Sequence, residues 1–181
     1  IKKYNNMKNI VATLSLLFTT SLSAQVAIGK ATVSSPAVSL EFYDNADNTR
    51  GIILPWVTST AAVTGAVNGT LVYNTADRKV YVKYASGWRD LSVDNTGTVT
   101  TTLQDSLTDQ DTAKVLIGGD PATDTTPGIL VLADTNKAMV LPKVASPHLN
   151  IVNPSPGMMV YDTTKKQLAV FNGTVWSFWK P

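Results

Sequence analysis

The chain has 181 residues, with fifteen Lys or Arg, thirteen Asp or Glu, one His and no Cys. Its pI near 8.8 misleads, because Lys2, Lys3 and Lys8 fall in an expected leader, leaving twelve basic residues against thirteen acidic ones and no basic run to meet nucleic acid or anionic lipid. Without Cys, and with His148 alone, thiol nucleophiles, disulfides and ordinary zinc sites are excluded, so apolar burial and strand pairing must hold the fold.

Met7 to Ala24, MKNIVATLSLLFTTSLSA, follows the grammar of a secretory signal peptide: Lys8, an apolar stretch from Ile10 to Leu22, then small residues before expected cleavage at Gln25. Residues 1–6 read as an extension ahead of an initiator Met7, so 1–24 form the leader. The apolar stretch is shorter than the roughly 20 residues a membrane span needs. No membrane insertion is expected after cleavage.

A first β module is expected over 25–92. Short strands at about 38–43 and 51–54 end at Pro55, which lacks the N–H a central strand must donate. Leu71 to Tyr73 and Val80 to Tyr84 are β-branched and aromatic, joined by the turn-rich Asn74 to Lys79; Ala85-Ser-Gly87 then reverses the chain before Trp88. Residues 93–114, rich in Thr, Asp, Ser and Gln, read as a polar linker or extended surface excursion. A second β module follows over 115–181, with strands at about 128–132 and 138–141 ahead of Pro142, and an Asn172-Gly173 hairpin signal before Trp176. No window of helical length shows an apolar period of 3.6 residues. The fold expected is all-β: two tandem small meander or sandwich-like modules, elongated and oligomeric.

The two modules are one pattern written twice. Gly69, Val72, Tyr73, Thr75, Val82 and Trp88 recur as Gly157, Val160, Tyr161, Thr163, Val170 and Trp176, an offset of 88. Leu54-Pro55 recurs as Leu141-Pro142, and Val26-Ala-Ile-Gly29 as Val115-Leu-Ile-Gly118. A fixed long period marks a repeat architecture.

The spacing V-x-I-G, then L-P, then G-x-x-V-Y-[ND]-T and a closing Trp resembles modules of secreted Bacteroidota proteins that look like segments of phage tail fibres and surface adhesins. The resemblance covers nearly all of 25–181. It departs where Lys143 of the second copy stands against Trp56 of the first, and where Phe171-Asn-Gly173 is loosened to Tyr84-Ala-Ser-Gly87. It implies an extracellular oligomeric building block and no reaction.

Residues suited to chemistry are few. A nucleophile system would have to be built on His148 in Ser146-Pro-His-Leu, which reads as an exposed polar loop. No catalytic residue, cofactor or metal site is assigned. Asp44, Asp47, Asp105, Asp109 and Asp111 offer oxygen ligands suited to calcium, but their spacing is not that of an EF-hand, and Asp and Asn in such loops commonly form turns.

Trp56, Phe178 and Trp179 do not repeat and are the candidate recognition or interface residues; Trp88 and Trp176 repeat, as packing residues must. Asp-Ser/Thr motifs make Ser106, Thr112, Thr125 and Thr163 candidate O-glycosylation sites. The leading expectation is a secreted, non-enzymatic structural or adhesive protein that pairs with itself into a fibre-like or cell-surface homo-oligomer or filament. The alternative is a module binding surface glycans, with Trp56 or Trp179 as the stacking platform.

Overall fold

Alternating β-branched and aromatic residues between Gly-, Asn- and Asp-rich turns leave the chain only strands to build with. The computed structural model describes residues 25–108, 110 and 112–180. The leader reading of residues 1–24 lies outside these, as do Asp109, Asp111 and Pro181.

Seven strands form in the first copy: β1 (Val26–Ile28), β2 (Val38–Phe42), β3 (Ile52–Ile53), β4 (Trp56–Val57), β5 (Leu71–Asn74), β6 (Lys79–Tyr84) and β7 (Gly87–Asp90). Seven follow in the second: β8 (Val115–Ile117), β9 (Leu130–Leu132), β10 (Ala138–Val140), β11 (Lys143–Val144), β12 (Met158–Asp162), β13 (Gln167–Phe171) and β14 (Trp176–Trp179). A 3-10 turn at Thr60–Ala62 and the single-turn α1 (Pro147–Asn150) are the helical elements among the described residues. The fold is all-β and elongated. The stretch expected to be a loop around His148 is this helical turn. Pro147 at its start needs no amide partner there and already has helical φ.

The duplication extends to register. Both copies close in an antiparallel meander, β5–β6–β7 and β12–β13–β14, where Lys83 faces Trp88 and Phe171 faces Trp176. Both place a two-residue strand after Leu-Pro parallel to the meander's first strand, pairing Trp56 with Tyr73 and Lys143 with Tyr161. These two strands, β4 and β11, went unforeseen because each follows the proline expected to end its strand. Both copies also begin with a parallel pair, β1 on β2 and β8 on β9.

The copies then interlock. β10 of the second copy lies parallel on β2 of the first, and β3 of the first lies antiparallel on β12 of the second. One buried cluster mixes Leu54, Tyr73, Val80 and Leu91 with Met159 and Val170; another, around Val144, Ile151, Val160 and Phe171, belongs to the second copy. A three-stranded meander alone has one apolar face to cover, and here each copy covers part of the other's. The start of the polar segment joins this junction: Thr98 Oγ1 donates to the Gly173 carbonyl (3.0 Å) and Thr174 Oγ1 to the Thr96 carbonyl (2.9 Å).

Candidate self-association surface

The junction is stapled by aromatic side chains whose polar ends are used inside the chain. The Trp56 indole N–H donates to the Pro156 carbonyl (2.9 Å), and its ring lies 6.1 Å from that of Tyr73, tilted by 50°. Tyr73 is fully buried, and its hydroxyl donates to the Asn172 carbonyl at 2.8 Å. Burial pushes that phenol up to about 12, so it remains a donor throughout the neutral range. From the other end, the Trp179 N–H donates to the Leu91 carbonyl while the Arg89 guanidinium sits 5.5 Å over its ring.

Of the three aromatics singled out by not repeating, Trp56 and Trp179 are thus half-buried links between the copies. Phe178 faces outward and meets His148 edge-on, with centroids 5.7 Å apart and rings at 86°. Trp56 and Trp179 pack against the same buried cluster. A large ring keeps its N–H satisfied when half-buried, and a carbonyl of the other copy serves this for each Trp.

Charges close the same junction at a second place. Glu41, the only glutamate, is fully buried, with Lys30 Nζ at 3.0 Å and the Ser34 amide on its other oxygen. Burial by itself would raise its pKa; the Ser34 amide and Lys30 outweigh this and hold the carboxyl below its usual range. Asp44 is also held low, chiefly by Lys30 (3.1 Å) and further by Lys143 (3.3 Å) of the second copy. Lys143, the basic residue after Leu-Pro, therefore bridges the copies. Asp44 spends both oxygens on lysines, Asp47 accepts from the Tyr43 hydroxyl, and buried Asn48 donates to three carbonyls, including that of Lys143. Among the described residues no group of three or more His, Asp or Glu stands ready to hold a metal ion.

Asp162 and Asn172 organise the second meander. Asp162 Oδ1 accepts from the amides of Ser146, Thr164 and Lys165; burial alone would raise its pKa, but the Lys165, Ser146 and Thr164 amides more than offset this and hold it low. Asn172 Oδ1 caps the amides of Thr174 and Val175, while its Nδ2 reaches Asp94 Oδ1 at 3.3 Å. The sequence marked Asn172 as a turn residue; that it and Asp162 are completely buried could not be seen there. Ser106, Thr112, Thr125 and Thr163 are all exposed.

Two features remain open. An apolar groove of about 350 Å³ runs along the junction, lined by Leu71, Val82 and Tyr84 of the first copy and Met139, Leu141 and Leu168 of the second. Among the described residues the β8–β9 sheet has two strands, and Val115 and Leu130 on it, with Ile129 just before β9, are exposed. Two apolar strands with an open edge present a row of N–H and C=O groups suited to pairing with another chain. No helix among the described residues is long and apolar enough to cross a membrane.

No curated protein matches the chain, and no solved structure does. A family model described as a phage tail like trimerisation region matches residues 120–180, the segment that carries β9 to β14 and the open edge, so the second copy is similar to a trimerising module of tail fibres.

Proposed function

We propose that this chain is a secreted, non-enzymatic subunit that trimerises through its second copy and serves as a structural or adhesive element of a fibre-like or cell-surface assembly. The observation that carries the reading is the coincidence of the trimerisation-region match with the copy whose opening sheet is, among the described residues, two strands wide and apolar. Hydrogen bonds from Trp56, Tyr73 and Trp179 and the Lys143–Asp44 ion pair hold one copy against the other, as a load-carrying repeat requires. Export rests on the leader grammar of residues 7–24.

Light scattering or sedimentation equilibrium on residues 25–181 tests self-association. Three chain masses are expected; one chain mass at every concentration overturns it. The N-terminus of protein recovered from culture medium tests export, with Gln25 expected first and retention of the whole chain in the cell counting against it.

A further inference from the structure

The duplication supplies its own template for what covers the open edge. In the first copy β2 is flanked on one side by β1 and on the other by β10, with Met139 opposite Leu40 and Val140 opposite Glu41. In the second copy β9 holds the place of β2, because Val26 faces Leu40 as Val115 faces Leu130. No strand among the described residues holds the place of β10. Burial records the gap. Ser39 and Leu40 are each 1% exposed, whereas their counterparts Ile129 and Leu130 are 64% and 47% exposed.

The backbone is ready for a third strand. Val115 donates its amide to Ile129, and Ala133 donates to Ile117, so residues 129, 131 and 133 turn their polar groups toward β8. Parallel pairing then leaves the N–H and C=O of Leu130 and Leu132 facing outward. The counterpart of β10 is β3, since Leu54-Pro55 follows β3 as Leu141-Pro142 follows β10. Among the described strands β3 pairs with β12 alone, and Ile53 is 53% exposed.

We infer that the outer edge of β9 is the docking site for a second copy of this chain, whose β3 adds in parallel with Ile52 opposite Leu130 and Ile53 opposite Val131. This deepens the self-association reading and rests on it. The contact joins different surfaces of the two chains, so it is head-to-tail, and three such contacts close a ring. An edge already apolar and already half-built offers main-chain bonds for affinity and side chains for register.

The cysteine-free chain allows a direct test. Two variants of residues 25–181, Val131→Cys and Ile53→Cys, are coexpressed and oxidised; neighbouring strands about 4.8 Å apart bring such a pair within disulfide range. Covalent dimers are expected in the mixture and not with either variant alone. An oligomer by light scattering that yields no cross-link, or Val131→Cys dimers formed without the partner variant, overturns the edge assignment and leaves self-association standing. A monomer overturns both. As a second readout, Leu130→Lys is expected to weaken assembly at least tenfold with unchanged far-UV circular dichroism, since a charge on an edge blocks addition of a further strand; unchanged assembly overturns the assignment.

Discussion

Tyr73 shows how much of the molecule rests on single polar contacts across the junction. Its hydroxyl reaches a carbonyl 99 positions away, with no water-facing alternative for either group. Tyr73→Phe leaves the Asn172 carbonyl short of a partner, and a loss of about 1–3 kcal/mol is expected in urea unfolding. Asp162→Ala strips three amides of one acceptor and is expected to cost about 3 kcal/mol by the same measurement. Glu41, Asp44 and Asp162 all have folded pKa values below their unfolded ones. Their contribution is therefore fully present above the ordinary carboxylate range, near pH 4, and is lost as pH falls through the lowered values. The urea midpoint is expected to be flat from neutrality to about pH 5 and to drop below about pH 4; a midpoint that improves in acid would contradict this assignment. At the exposed Ser106, Thr112, Thr125 and Thr163, intact mass of the exported protein decides glycosylation: a mass above that of residues 25–181 is expected.

At the scale of elements, the segment that begins as a polar linker behaves first as part of the fold. It passes so close to the Asn172-Gly173 turn that a Cβ on Gly173 would run into the Thr98 carbonyl, and Gly173 has φ +101. Gly173→Ala is therefore expected to lose about 2–4 kcal/mol, from strain at positive φ and from displacement of residues 96–98. Thermal unfolding checks this, and a change within about 0.5 kcal/mol would show that the close approach is easily relieved. The meanders themselves were legible from sequence, because β-branched alternation and turn residues act within a few positions. The interstrand choices were not. Nothing local tells Ile52–Ile53 to lie on Met158–Met159, or Ala138–Val140 to lie on β2.

For the whole molecule, duplication and interlocking explain how a chain without disulfides is held. Each copy caps part of the other's apolar face, and Lys143–Asp44, Trp56–Pro156 and Trp179–Leu91 fasten the seam. Because these contacts depend on both copies, neither half is expected to be as stable alone as within the chain. Residues 115–181 expressed separately are expected to melt at least 10 °C below residues 25–181, since about 1 kcal/mol already moves the midpoint of a small domain by several degrees. Equal melting would show that the shared core adds nothing.

The sequence by itself determined the strand-and-turn grammar, the closing meander of each repeat in outline, and which tryptophans repeat with it. These follow from side-chain alternation and backbone preferences that operate over a few residues. Only the tertiary structure decided that Trp56 and Trp179 are seam residues, that the lone glutamate is buried beside Lys30, and that among the described residues β2 is covered on both sides while β9 is covered on one. Those outcomes depend on partners about a hundred positions away, chosen by shape and by the need to satisfy buried polar groups, and no local period records them.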